Sequence, residues 1–131
     1  MIVYENSLIE SQRLSIQADI DTRKSAAERN RLGQFATPNA LAIDIARYVD
    51  SIFALSRNQT EIRFADPAVG SGSFYSAALA IFGSRRIKSA VGVELDPAFS
   101  EAARSLWSSA GLDVVQGDFT QIVANGACPC A

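Results

Sequence analysis

Hydrophobic positions recur along this chain with two different periods, and the change of period divides it into elements. Scattered apolar residues between Asn6 and Arg31 suit one weakly amphipathic helix, or two helices broken near residues 19–22. Basic and acidic side chains are interleaved throughout this stretch. Such a mixture is typical of a solvated helix face rather than a DNA-binding patch.

A stronger helical pattern follows a break at Gly33. Thr37 suits the N-cap position and Pro38 the first helical position. The helix predicted from Pro38 to about Leu55 is amphipathic, and the residues that recur on one of its faces are Leu41, Ile45, Tyr48, Val49 and Ile52.

Strand-like and helix-like patterns alternate after residue 60. A period of two in EIRFA predicts a strand that runs into the loop DPAVGSGSF, and residues 73–82 form an alanine-rich helical segment. SAVGVEL is a nearly continuous apolar run, typical of a strand covered on both faces. Asp96 caps a helix that ends at Gly111, and LDVVQGD is a third strand. The residues expected on the inner side of that helix are Phe99, Ala102, Ala103, Leu106 and Trp107.

This order of elements predicts the fold class. Strand, helix, strand, helix and strand joined by short connections indicate an α/β fold with a doubly wound parallel sheet, preceded by N-terminal helices. We expect an N-terminal helical segment over residues 1–36 and the sheet domain over residues 37–131.

Composition narrows the class of protein. Of the 131 residues, 48% are hydrophobic and 20% charged, as in ordinary globular domains, and neither a secretion signal nor a membrane-length apolar run is visible. A cytoplasmic protein that makes no membrane contact is therefore expected. The net charge of -2 gives no global attraction to nucleic acid, so any contact with DNA must be local.

Cys128 and Cys130 cannot complete a tetrahedral metal site in a chain without histidine, so we expect an exposed tail there, with disulfide chemistry as the alternative.

Polar residues cluster where the three strands end. Ligands bind open parallel sheets outside the carboxyl ends of the strands. Asp66, Glu94, Asp96 and Asp118 all fall at that edge, and lysine and arginine do not. Four carboxylates are a poor environment for a pyrophosphate. The glycine loop lacks the Gly-Lys-Ser/Thr ending of a P-loop, and Tyr75 stands where a dinucleotide fingerprint needs its third glycine. S-adenosylmethionine, which carries a sulfonium, an ammonium, a ribose diol and an adenine, fits these charges better.

Each acidic residue has a chemical role in such a site and an ordinary structural alternative. Asp66 suits the ammonium, or simply turns the chain before Pro67. Glu94 suits the ribose hydroxyls, since a carboxylate that closes an apolar strand needs a reason to be there. Asp118 suits the adenine amino group or a plain turn, and Leu95 and Phe119 suit either the adenine faces or the core. Gly70 and Gly72 let the backbone approach a ligand closely.

Four segments in this order, GQFATP, FADPAVGSGSF, VGVELDP and VVQGDF, resemble N6-adenine DNA methyltransferases of restriction-modification systems. The resemblance covers about residues 32–119 and implies a Rossmann-like class I methyltransferase domain that uses S-adenosylmethionine. It implies that Thr37 contacts the methionine carboxylate, and that Phe35 and Pro38 shape the same wall. The cofactor-binding residues expected are Phe35, Thr37, Pro38, Asp66, Pro67, Ala68, Gly70, Gly72, Glu94, Leu95, Asp118 and Phe119.

The catalytic motif of that family is absent. The family uses an Asn/Asp-Pro-Pro-Tyr/Phe loop that engages a flipped adenine, and this sequence has no Pro-Pro pair. We therefore expect the cofactor-binding portion of a DNA methyltransferase, ending before the catalytic strand, inactive by itself and without catalytic residues of its own. Two alternatives stay open: a methyltransferase for protein glutamine or RNA, and a non-catalytic interaction module. An unfilled sheet edge also suggests a homo-oligomer.

Overall fold

A computed structural model of the protein describes residues 2–56 and 61–122. The helices and strands in chain order are α1 (Ile2–Arg23), α2 (Ala26–Leu32), α3 (Asn39–Leu55), β1 (Ile62–Asp66), α4 (Ser73–Phe82), β2 (Ile87–Glu94), α5 (Pro97–Trp107) and β3 (Leu112–Gln116). Short 3-10 turns cover Ser108–Ala110 and Phe119–Gln121. The predicted tail around Cys128 and Cys130 lies outside the described residues.

The three strands form a parallel sheet in the order β1-β2-β3. Phe64 is paired with Ala90 and Ala90 with Leu112, while at the carboxyl ends Glu94 is paired with Gln116. The predicted α/β alternation and the parallel sheet are therefore confirmed. All three strands end at the same edge, as a ligand site there requires.

The main core lies between this sheet and the helices α4 and α5. Tyr75 and Leu79 of α4, and Leu106 and Trp107 of α5, pack there with Leu112. Tyr75 stacks edge-on against both Phe64 and Trp107, with ring centroids 5.3 and 5.7 Å apart. The inner face predicted for α5 is confirmed, since all five of its residues are buried.

The helical layer covers one face of the sheet. Leu112 and Val114 point toward the helices and are buried, whereas Arg63, Ala65 and Val115 on the opposite face are exposed. The prediction that β2 is covered on both faces is confirmed in part: Ala90 on the helix side is buried, and on the other side Val93 is buried while Val91 is half-buried. The second helical layer that a doubly wound sheet implies stays a prediction.

The polar N-terminal stretch forms two helices, broken at Lys24 and Ser25 rather than near residues 19–22. Ser25 starts α2 with a capping box shared with Glu28, and Gly33 ends it with φ +62°. These local capping bonds satisfy the exposed backbone groups at both ends of the short helix.

The prediction of a solvated helix face for the charged residues of the N-terminal stretch is wrong for two basic residues. Arg13 is only 1% exposed, and Lys24 is held against Asp96. The inward-facing stripe of α1 includes Ile9, Ile16, Ile20 and two polar residues, Arg13 and Gln17. That mixture explains why hydrophobic periodicity in this stretch is weak.

Helix α3 differs from its prediction at its start and in its orientation. Pro38, not Thr37, is the N-cap, with ψ 139°, and helical geometry begins at Asn39. The residue before a proline favours extended backbone, and Pro38 here continues that extended run. Small residues, Ala42 and Ala46, form the buried face against Ala77 of α4. Four of the large apolar residues predicted to share one face are exposed: Leu41, Ile45, Tyr48 and Ile52.

Candidate functional site

A cavity of about 290 Å³ opens at the carboxyl ends of the three strands. This volume lies near the lower end of the range of about 300–1,000 Å³ that small-molecule sites occupy. Its walls come from the glycine loop after β1, the ends of β2 and β3, helix α1 and the segment after α2. The lining residues are Gln17, Leu32, Gly33, Gln34, Phe35, Ala36, Pro67, Ala68, Gly70, Glu94, Leu95, Phe99, Gly117, Asp118 and Phe119.

Glu94 joins the glycine loop to the end of β2. Its Oε2 accepts a hydrogen bond from the Gly70 amide at 2.8 Å, and its Oε1 accepts from the Asp96 amide at 2.9 Å. The residue is only 9% exposed, so these two bonds satisfy a nearly buried carboxylate. Each carboxylate oxygen accepts more than one hydrogen bond. Glu94 therefore retains acceptor capacity toward a ligand in the cavity.

The two loop glycines have different roles. Gly70 has φ +55° and lines the cavity, and a Cβ built on it would meet no atom within 4 Å. Gly72 has φ +94° and does not line the cavity. A Cβ there would lie 2.7 Å from Cδ1 of Trp107 and closer still to Nε1, which donates to the Ser71 carbonyl at 2.9 Å. Packing of the tryptophan behind the loop thus explains Gly72, whereas Gly70 leaves room on the cavity side.

The carboxylates of Asp66 and Asp118 shape turns. Asp66 Oδ1 accepts from the Ala68 amide at 3.0 Å, and Asp118 Oδ1 accepts from the amide and hydroxyl of Thr120. Burial raises the pKa of Asp66, and the bond from Ala68 offsets part of that rise. The hydroxyl and amide of Thr120 lower the pKa of Asp118. Of the two, only Asp118 lines the cavity, while Asp66 turns the chain beside it.

The GQFATP segment forms another wall of the cavity. Gln34 donates to Asp96 Oδ2 at 2.8 Å and accepts from Lys24 Nζ at 2.9 Å, and Lys24 also pairs with Asp96. Burial raises the pKa of Asp96, but the bonds from Lys24, Gln34 and the Ala98 amide outweigh it and leave that pKa lowered. This ionic link attaches the segment to the start of α5. It also places one cation beside the strand ends, where the sequence pattern shows only carboxylates.

Large apolar side chains stand exposed at the cavity wall: Leu32 is 46% exposed, and three others are more exposed. Phe35 is 67% exposed, Leu95 58% and Phe119 57%. They come from the GQFATP segment, the end of β2 and the end of β3, and all three line the cavity. Apolar surface exposed in this way around a cavity is characteristic of a ligand site.

The structure brings together most of the residues that the sequence assigns to a ligand. Eight of them line the cavity: Phe35, Pro67, Ala68, Gly70, Glu94, Leu95, Asp118 and Phe119. The other four, Thr37, Pro38, Asp66 and Gly72, lie in the adjoining segments and do not line it.

Further lining residues were not anticipated. Gln17 reaches the cavity from α1, where no local signal marks it, since only long-range packing brings that helix to the sheet edge. Gln34 lies inside GQFATP, and its position in that motif was the available signal. Phe99 was expected only as an inner-face residue of α5, and it also borders the cavity.

The charge of the lining favours a cationic or neutral ligand. Glu94 and Asp118 are the charged residues among those that line the cavity, and both are acidic. A pyrophosphate would be repelled here, whereas a positively charged group and hydroxyl donors would be attracted. The third glycine of a dinucleotide-binding fingerprint is also missing from the loop. Tyr75 stands at that position, where its side chain is 1% exposed and donates a hydrogen bond to the Ala110 carbonyl at 2.6 Å.

No protein-family model matches the chain. Within residues 2–56 and 61–122, no helix is both long and apolar enough to cross a membrane. The same residues contain no group of three or more histidine, cysteine, aspartate and glutamate side chains that could hold a metal ion.

Proposed function

We propose that this cavity binds S-adenosylmethionine and that the chain is the cofactor-binding portion of a site-specific N6-adenine DNA methyltransferase with a Rossmann-like class I fold. One observation carries the proposal: among the described residues that line the cavity at the carboxyl ends of the strands, the charged ones are all acidic, and exposed apolar side chains border it. A sulfonium nucleoside combines the two properties that such a site selects, a positive charge and a flat apolar ring.

The lining residues suit the separate parts of that ligand. Glu94 accepts from the ribose hydroxyls, as carboxylates at this strand end do in nucleoside sites. Leu95 and Phe119 border the adenine, and Asp118 accepts from its amino group. Gly70 leaves the space in which the ligand passes close to the loop backbone. The assignments of Thr37, Pro38 and Asp66 to the methionine end rest on the sequence resemblance.

The proposed reaction needs more than this chain contains. When bound, S-adenosylmethionine supplies an electrophilic methyl group, and the residues described here hold and orient its nucleoside end. The target adenine has to be engaged by an Asn/Asp-Pro-Pro-aromatic loop, and the sequence has no Pro-Pro pair. We therefore expect cofactor binding without methyl transfer from this polypeptide alone. DNA is the proposed partner of the whole enzyme.

Isothermal titration calorimetry with four ligands tests the cofactor. S-adenosylmethionine and S-adenosylhomocysteine should bind, whereas NAD and ATP, which carry a pyrophosphate or triphosphate, should not. Glu94→Gln removes the charge and keeps an acceptor, and we expect affinity to fall by about ten- to a hundred-fold, the scale of a hydrogen bond to a charged group. Glu101→Gln on the exposed side of α5 is the matched control.

A folded wild-type protein that binds neither adenosyl ligand would rule out the proposed cofactor. Binding of NAD in preference to both would instead favour a dinucleotide site. The substrate class is decided separately, by identifying the methylated product of the complete enzyme as N6-methyladenine in DNA, methylated RNA or methylglutamine.

A further inference from the structure

Helix α1, with Lys24 directly after its end, contacts the glycine loop, the GQFATP segment and the start of α5, although the glycine loop and α5 lie far from it in the sequence. Arg13 reaches the glycine loop, Gln17 lines the cavity and Lys24 binds both Gln34 and Asp96. We propose that α1 organises the ligand site and that Arg13 is the positioning residue that sets the conformation of the glycine loop. The effect on cofactor affinity rests on the proposed function, whereas the effect on the loop does not.

The Arg13 guanidinium lies beneath the loop and uses both of its edges. Nη1 donates to Ser71 Oγ at 3.0 Å and to Ser73 Oγ at 2.9 Å. Nε and Nη2 donate to the two carboxylate oxygens of Glu10 at 2.8 and 2.7 Å. Glu10 Oε2 also accepts from Ser76 Oγ at 2.5 Å. One planar side chain thereby connects α1 to the loop and to the first turn of α4.

Because the groups that Arg13 connects are buried, the geometry of their hydrogen bonds is closely fixed. Arg13 is 1% exposed, and Ser71 and Ser73 are 2% and 8% exposed. A buried guanidinium must keep its carboxylate and hydroxyl partners, since each unpaired buried group is costly. Arginine presents its donors as a rigid fork, which fixes the directions of the groups it binds. The serine hydroxyls, and the backbone that carries them, therefore have one favoured position.

The loop is also held from two other sides, by α5 and β2. Trp107 donates to the Ser71 carbonyl, and the Gly70 amide donates to Glu94. Arg13 holds the side chain of Ser71 while Trp107 holds its backbone oxygen. Gly70, the loop glycine that lines the cavity, directly precedes this doubly held residue. A shift of Ser71 must therefore displace Gly70 and the carboxylate of Glu94 with it.

The same face of α1 extends along the cavity. Arg13 and Gln17 are four residues apart and so lie on one side of α1, and Lys24 directly follows the end of that helix. Gln17 is 9% exposed and donates to Asp21 Oδ2 at 3.0 Å, which holds its amide at the cavity wall. Arg13 and Gln17, the polar residues that interrupt the apolar stripe of α1, thus meet the glycine loop and the cavity, and Lys24 meets the GQFATP segment.

Arg13→Gln tests the proposal, and Arg23→Gln is its control. Both changes remove one arginine charge from α1, but Arg23 is exposed and pairs with the exposed Asp19 one turn earlier on the same helix. For Arg13→Gln we expect at least tenfold weaker binding of S-adenosylmethionine by calorimetry. We also expect at least tenfold faster hydrogen exchange of the Gly70 and Gly72 amides and a red shift in emission of Trp107, the single tryptophan. Arg23→Gln should match the wild type in all three, and Arg13→Lys should recover part of each loss.

The loop measurements separate positioning from general stabilisation. A purely stabilising Arg13 would speed exchange in β2 as much as in the loop, and that result would overturn the proposal. So would wild-type loop exchange and affinity in Arg13→Gln. Should that variant not fold, Ser71→Ala removes one of the arginine's acceptors, and unchanged loop exchange there would contradict the proposal equally. If the wild type binds no adenosyl ligand, the proposed function fails, while the loop exchange still decides the role of Arg13.

Discussion

Replacing each loop glycine by alanine separates two kinds of glycine in one short loop. At Gly72 the added methyl group would overlap the indole of Trp107, which is 0% exposed and packed between Tyr75 and the loop. At Gly70 the same methyl group would enter open space. Both residues have positive φ, so both alanines carry a backbone cost, but only one carries a packing cost.

The magnitudes follow from those two costs. A left-handed conformation costs a non-glycine residue about 1–2 kcal/mol, and forcing extra atoms into a packed core costs about 1–3 kcal/mol. Gly72→Ala should therefore lower the free energy of unfolding by about 2–5 kcal/mol, a large share of the roughly 5–15 kcal/mol typical of a domain. At about 4 °C for each kcal/mol, Tm should fall by about 8–20 °C. Gly70→Ala should carry only the backbone cost, about 1–2 kcal/mol.

Urea unfolding followed by far-UV circular dichroism measures both values, and Trp107 emission reports on the indole itself. We expect Gly72→Ala to shift the emission of the folded state and Gly70→Ala to leave it unchanged. Equal losses of stability in the two variants, with unchanged emission in both, would refute the packing of Trp107 behind the loop. In a binding assay we expect Gly70→Ala to lose more cofactor affinity than Gly72→Ala for each kcal/mol of stability lost, since of the two glycines only Gly70 borders the cavity.

Three further changes test the acidic residues and the apolar wall. Because burial raises the pKa of Asp66, ionisation at neutral pH destabilises the fold, so Asp66→Asn should keep or increase stability at pH 7 while weakening cofactor binding. The partners of Asp96, including Lys24, leave its pKa lowered on balance, so the stability of the wild type should fall as pH drops through the ordinary aspartate range near 3.8. In Asp96→Asn this loss of stability at low pH should be smaller. Phe119→Ala should change stability by less than about 0.5 kcal/mol and weaken cofactor binding about tenfold.

Each of these changes has a control and an opposing outcome. Denaturant unfolding at a series of pH values measures the aspartate variants, and a stability loss in Asp66→Asn at pH 7 would contradict the sign given to its burial. A pH profile of Asp96→Asn that parallels the wild type would show that its ion pair adds nothing. Tyr48→Ala, 68% exposed on α3, is matched to Phe119→Ala and should leave affinity unchanged.

Local signals predicted the elements after residue 60 well. The helix over residues 73–82, the Asp96 cap and the inner face of α5 were all readable from the sequence, because each depends on neighbouring residues. The parallel pairing of the strands also followed, since short helical connections leave few other arrangements. Convergence of the strand-end residues on one cavity followed in turn from the parallel sheet.

Features that depend on distant packing were not readable. Charge interleaving in α1 suggests a solvated face, yet Arg13 is buried because Glu10 and two loop serines provide its partners. In α3 the largest apolar residues were the natural candidates for a buried face. Close approach to α4 instead selects Ala42 and Ala46, whose small side chains let the two helices pack tightly.

The glycine loop contains both a feature that local sequence predicts and one that depends on distant packing. A pair of glycines at positive φ indicates a tight turn and a nearby ligand, and that inference suits Gly70. Gly72 is required by a tryptophan from a helix that begins many residues later. Nothing local to the loop could have distinguished the two.

The most direct test of the proposed cofactor site is a titration of the ¹⁵N-labelled protein with S-adenosylmethionine, followed by amide chemical shifts. Binding in this cavity predicts saturable shifts of Gly70, Leu95 and Gly117, with Gly83 and Tyr48 unmoved. Absence of shifts at a saturating concentration, or saturable shifts confined to residues outside the cavity, would contradict the account.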